Sequence, residues 1–237
     1  MWIGSTSISE LDAANRWTVA FFAAETITHS SVHPMVAIRE IVEERKAALD
    51  PRTLGDERIA YIGLENVRSL TGELVSFEPV LASSIKSRSK TYEEGDVLYG
   101  RLRPELNKVW LAETAASPGI CSNEFIVLRA NAAKVRSRYL RYVLASRHVS
   151  QFAAKLRTGA SLPRMATADL LALMVPLPPL AVQDEICNLL SNLDKRLRDL
   201  RATLDWLPDA ITDSFTRSLD TGPAELDATL RTLGELA

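Results

Sequence analysis

The sequence predicts an α+β protein: a globular mixed α/β domain followed by a long coiled-coil-forming helix. Three observations predict it. Between Val36 and Arg129, short apolar runs are bounded by Gly, Pro, Asp and Asn, the pattern of strands and turns. Pro176-Leu-Pro-Pro-Leu180 then punctuates the chain, because proline disfavours helix in the residue before it and suits the first turn of a helix that follows. Beyond it Ile186, Leu190, Leu193, Leu197, Leu200, Leu204, Leu207 and Ile211 recur at spacings of 4, 3, 4, 3, 4, 3 and 4, an unbroken heptad seam. The chain divides into an N-terminal segment (1–30), the domain (31–176), the helix (177–216) and an acidic tail (217–237).

The elements follow in order. Leu11 to Glu25, rich in Ala and aromatics, reads as a strand or a short helix. Val36 to Leu49 reads as a short helix or as a strand entering a charged loop. Ile59 to Leu64 is a strand, and Gly72 turns the chain before Leu74 to Phe77. Val97 to Leu102, Val109 to Ala112 and Glu124 to Arg129 are further strands. Phe125-Ile-Val-Leu128 is continuously apolar, as a strand buried on both faces requires. Ser137 to Leu156 is helical, with Leu140, Val143, Leu144 and Phe152 on one side and Arg138 and Arg141 on the other. The long helix starts near Leu180. Pro208 removes one hydrogen bond and clashes with the preceding turn, so a kink or a restart is expected there. Gly222-Pro223 is a break, and Ala224 to Leu236 forms a short acidic helix.

The most informative stretch is Gly95-Asp-Val-Leu-Tyr-Gly-Arg-Leu-Arg-Pro-Glu-Leu-Asn-Lys108. On a strand, Tyr99, Arg101 and Arg103 share one face, and Leu98 and Leu102 the other. Two guanidiniums beside a phenol suit an anionic, aromatic-bearing polymer, and Arg reaches guanine O6 and N7 bidentately. The alternative for Arg101 and Arg103 is an ion pair to Glu93, Glu94 or Glu105. Lys86, Arg88 and Lys90, with serines between them, form a polar loop able to follow a phosphate backbone, or simply a solvated loop. Arg157, Thr158, Gly159, Ser161 and Arg164 form a second candidate loop, or a structural turn between helices.

Charge supports this reading. The whole chain has 28 basic and 30 acidic side chains, a net −2. Lys86 to Arg164 nevertheless holds fifteen basic and six acidic residues, +9, which leaves −11 on the remainder. Such a split marks a local polyanion-binding surface on an acidic body, or a solvated basic face.

Other classes find less support. There is no Asn-Pro-Pro-Tyr or Asp-Pro-Pro-Tyr methylation motif, no glycine-rich nucleotide loop and no Walker sequence. His29, His33 and His148 have no metal-ligand spacing with Cys121 or Cys187, so neither metal nor cofactor is expected. Cys121 precedes an apolar strand and reads as buried rather than nucleophilic. Glu43-Glu44-Arg45-Lys46 reads as a surface rather than a nuclease fragment. Two distant cysteines suit a reducing cytoplasm. Neither a signal peptide nor a membrane span is expected from the apolar pattern. The seam needs a partner helix, because alone it would expose an apolar stripe; the alternative is packing against its own domain, where a wider stripe is usual.

Three segments in this order resemble the specificity subunit of type I restriction–modification systems: Gly95 to Pro104 with Asn107-Lys108; Gly119-Ile-Cys-Ser-Asn-Glu-Phe-Ile-Val-Leu-Arg129; and Leu173-Met-Val-Pro-Leu-Pro-Pro-Leu-Ala-Val-Gln-Asp-Glu-Ile186 with its long helix. Tyr61 to Val67 and Thr71-Gly72 resemble the same family's target recognition domain. The resemblance covers roughly 33–216. It implies that 31–176 is a target recognition domain reading one half of a two-part site in double-stranded DNA. It also implies a non-catalytic subunit that docks an adenine methyltransferase (modification) subunit and, in restriction complexes, a translocating nuclease. Asn107 and Lys108 match the family motif, although Asn107 can equally cap a local turn. The family commonly has two recognition domains and two long helices, and this chain has one of each. It resembles a half-subunit, so a homodimer or pairing with another half-subunit is implied. Two rival classes stand beside this reading: a coiled-coil scaffold of a defence complex without its own sequence-specific DNA binding, and a self-contained nuclease or methyltransferase.

Overall fold

The run Phe125–Leu128 lies at the centre of the first part of the molecule, with all four side chains at 0% exposure. The structure is a computed structural model and describes residues 32–113, 116, 118–156 and 162–221. It divides into two units, up to Cys187 and from Asn188. The strands are β1 (Met35–Ala37), β2 (Val42–Glu44), β3 (Ala48–Leu49), β4 (Arg58–Ile59), β5 (Tyr61–Ile62), β6 (Val80–Leu81), β7 (Ser89–Tyr92), β8 (Val97–Gly100), β9 (Val109–Leu111), β10 (Gly119–Cys121), β11 (Phe125–Ala130) and β12 (Met174–Pro176). The helices are α1 (Ser137–Leu144), α2 (Arg147–Leu156), α3 (Thr167–Ala172) and α4 (Leu180–Thr221).

The central sheet has the order β2-β11-β8-β9 and is antiparallel throughout. Residues alternate between its two faces. Val97, Tyr99, Val109, Ile126 and Leu128 join a core made with Leu140, Leu144, Val149, Phe152 and Leu170 of the helices. Leu98, Trp110, Phe125 and Val127 join a second core with Ile62, Tyr92 and Cys121, which come from the sheet β3-β7-β10-β5. The first unit is therefore layered: helices, central sheet, second sheet. A sheet covered on both faces needs strands apolar at every position, which is why β11 and β8 read as unbroken apolar runs.

Several expectations are corrected. Val36 to Leu49 holds three short strands and a 3-10 turn, with no α-helix. β1 pairs with β12 across the domain, a long-range partnership that no local pattern encodes. Leu74 makes only an isolated bridge to Val67, in place of a strand to Phe77. Ser137 to Leu156 is two helices, because Ser146 turns back to Val143 O and its hydroxyl accepts from Val149 N at the start of α2. α4 runs through Pro208 without a restart and on to Thr221, beyond the expected end near 216. The expected elements in 1–30 and beyond Thr221 lie outside the described residues.

Candidate nucleic-acid interface and helical seam

The turn Ser122–Glu124, between β10 and β11, collects cations from distant parts of the chain. Ser122 builds the turn by accepting from Phe125 N through its carbonyl (3.0 Å) and from Glu124 N through its hydroxyl (3.2 Å). Asn123 donates from Nδ2 to Arg88 O (2.7 Å). Lys90 donates from Nζ to Phe125 O (2.8 Å). Arg101 N donates to Glu124 O (2.8 Å), and Arg103 N to Pro163 O (2.8 Å). Leu102 and Arg164 form a β-bridge, which brings the segment after α2 to the same place. The segments that bear Arg88, Lys90, Arg101, Arg103 and Arg164 thus meet near this turn.

Their roles differ. Lys86, Arg88 and Arg103 are exposed. Arg88 makes a long bond from Nη2 to Ala48 O (3.2 Å). Arg103 has φ 48°, an uncommon left-handed conformation for a non-glycine residue, immediately before Pro104. Arg101 is half-buried, and its Nε is buried with no hydrogen-bond partner. Arg164 is committed: Nε and Nη2 grip both oxygens of Glu124 (2.7–3.1 Å), and Nη1 reaches Leu162 O (3.3 Å). That fork holds the Glu124 carboxyl below the ordinary glutamate range, with burial opposing it.

Other candidates move into structural roles. Tyr99 is 1% exposed and its hydroxyl meets Met165 Sδ at 3.6 Å, so it does not share an outer face with the arginines. The alternation argument fails there because β8 ends at Gly100 and has no solvent face. Asn107 is buried, has φ 49° and donates from Nδ2 to Ala145 O (2.6 Å), so it caps a turn against the end of α1. Lys108 ties Nζ to Leu64 O (2.7 Å). Lys90 lies within β7 rather than in a loop, paired on both sides, and burial pushes its ammonium pKa down. Arg157, Thr158 and Ser161 lie outside the described residues. Cys121 is buried and its thiol is pushed up to about 12 by burial, far from thiolate chemistry at neutral pH. Among the described residues no group of three or more His, Cys, Asp or Glu forms a metal site, and no helix is long and apolar enough to cross a membrane.

Sequence reasoning missed Glu124 and Gln183. A lone carboxylate at the head of an apolar strand inside a basic segment was the signal for the first. Gln183 is fully buried: Oε1 accepts from Arg136 N (2.8 Å), and Nε2 donates to Lys134 O (3.0 Å) and Pro178 O (2.8 Å). With the bidentate Arg136–Asp184 pair it anchors the first turns of α4 in the first unit. Nothing local distinguishes it from a surface glutamine.

Within the seam, Ile186 packs partly against the first unit's own core. Leu190 and Leu207 are half-buried. Leu193, Leu197, Leu200, Leu204 and Ile211 are exposed, Leu200 and Leu204 at 61% and 64%.

Residues 87–204 match the type I restriction modification DNA specificity domain. The type I restriction enzyme EcoDI specificity subunit of Escherichia coli is 23% identical over 181 residues, which is 76% of this chain and 36% of that protein. The HindI specificity subunit of Haemophilus influenzae is 23% identical over 179 residues, again 36% of its length. This chain therefore spans about a third of the length of the curated relatives it matches. The crystal structure of the HsdS subunit from Thermoanaerobacter tengcongensis superposes with a TM-score of 0.62 at 26% identity, over 77% of this chain and 47% of that one. A chain solved to explain complex assembly and conformational transition of the type I R-M system gives 0.63 at 26% identity, over 84% and 50%. Residues 87–204 thus carry a type I restriction–modification DNA specificity domain, and the described residues hold one such region followed by one long helix.

Proposed function

We propose that the chain is the DNA-reading subunit of a type I restriction–modification-like system. It binds one half of a bipartite site in double-stranded DNA and docks an adenine methyltransferase subunit, with a restriction/translocase subunit joining in complexes that cleave. It performs no catalysis and carries no cofactor or metal of its own, and it works in the cytoplasm. Two halves pair through the α4 seam, either two copies or one copy with another half-subunit. The observation that carries this is the meeting of the segments that bear Arg88, Arg101 and Arg103 around one turn inside the +9 segment, where Lys90 and Arg164 help to build that turn. Cations gathered at one place by tertiary structure meet a polyanion more effectively than the same charges spread over an acidic body.

A gel-shift series with the chain and a type I methyltransferase subunit from the same genome tests it. Binding is expected to be sequence-specific and to fall steeply with salt. Equal affinity for every duplex would instead favour the coiled-coil scaffold without its own specific DNA binding. Incubation of the chain alone with DNA and magnesium or S-adenosylmethionine is expected to give no product.

A further inference from the structure

Glu124 is a carboxylate held by Arg164 inside the cationic cluster, and phosphate recognition gives it no purpose. A carboxylate facing a phosphate is repelled, and it subtracts from the positive potential that the surrounding arginines build. Nor is it free to swing away: its carbonyl takes Arg101 N (2.8 Å) and its oxygens lie in the Arg164 fork. The fork keeps it ionised and fixes its plane. Its side chain nevertheless remains 27% exposed. A carboxylate offers about four lone-pair sites, so three contacts from one guanidinium leave acceptor capacity unfilled. In the major groove the donors a protein can reach are exocyclic amino groups, N6 of adenine and N4 of cytosine. An immobile, ionised acceptor amid cations that hold the backbone suits that purpose. Arg164, with its fork already filled, positions Glu124 rather than reading a base itself.

We propose that Glu124, oriented by Arg164, is a specificity-determining residue that accepts a hydrogen bond from the exocyclic amino group of one adenine or cytosine in the DNA major groove. The proposal rests on the DNA-reading function above, and one experiment separates the two. The full chain, with its methyltransferase subunit, is used to select sites from randomised duplexes, as wild type and as Glu124→Ala. The wild type is expected to select a defined site. Glu124→Ala is expected to lose about tenfold discrimination at a single base pair and to keep it elsewhere. Whether that pair is A·T or C·G identifies the base. Purine for adenine, or 2-pyrimidinone for cytosine, then removes the amino group alone. It should weaken wild-type binding about tenfold and leave Glu124→Ala binding unchanged. Equal losses in both proteins would overturn the proposal, as would a variant that keeps every preference or loses all of them evenly. If the wild type selects no site, the DNA-reading function itself fails. Should Glu124→Ala not fold by thermal melting, Glu124→Gln keeps an oxygen for Arg164 and removes the charge. It is expected to lose part of the discrimination at that same pair, and unchanged discrimination there would overturn the assignment.

Discussion

The two units treat apolar side chains in opposite ways. Up to Cys187, the strands at the centre carry apolar residues on both faces, and each face has its own cover. Along one stripe of α4 the equally apolar Leu193, Leu197, Leu200, Leu204 and Ile211 stand exposed. Hydrophobicity alone does not separate these cases, and period does. A period of two between two layers closes a core within one chain, whereas a period of 3.5 asks for another helix. The first unit is complete in a single copy. The second leaves its stripe open, and we propose that assembly closes it, which would divide recognising DNA from holding two recognisers together.

The sharpest way to break this comparison is at the seam. Burying one Leu side chain stabilises by about 1.5–3 kcal/mol, and Leu193 and Leu200 from two chains would place four such side chains together. Leu193→Asp with Leu200→Asp is expected to convert a sedimenting dimer into a monomer while leaving the melting of the first unit unchanged. A parent chain that is already monomeric would remove homodimerisation from the account.

Phe125→Ala makes the reciprocal test. The ring is fully buried in the second core, so its loss is expected to destabilise by about 3–5 kcal/mol in denaturant titration. The folded fraction should sediment as before. Smaller again are the surface changes. Arg88→Ala and Arg103→Ala should each weaken DNA binding evenly across sequences and reduce the salt slope by about one, with no change in melting. Tyr99→Phe should leave DNA affinity untouched, because that hydroxyl meets only a buried sulfur. The smallest effect concerns pH. The folded-state pKa of Glu124 is lowered, so its contribution is present above the unfolded value of about 4.3 and is lost as pH falls through the depressed value. Wild type should therefore lose stability relative to Glu124→Gln only on acidification below about 4.

What the sequence disclosed follows the same division. The long helix, its Leu180 start and the buried β11 depend on local period and composition, and the structure keeps them. The +9 of the basic segment is a matter of composition and is the same in any fold. The individual contacts did not. Tyr99 looked outward because alternation assumes one solvent face, and the cover on its side comes from the helices and from Met165, 66 residues further along the sequence. Asn107, Lys90 and Lys108 carry the polar groups that DNA contacts need, but tertiary structure spends them on the carbonyls of Ala145, Phe125 and Leu64. Glu124 stood out only as a lone carboxylate in a basic segment, because the partner that gives it meaning, Arg164, lies forty residues on.

The most direct measurement is the sequence that this chain selects from random duplex DNA in the presence of its methyltransferase subunit. Two copies joined through α4 would present two identical readers related by a two-fold axis. The account predicts an interrupted palindrome: two short specified half-sites with a gap of fixed length whose bases are unspecified. A single contiguous site, or no site, would contradict it.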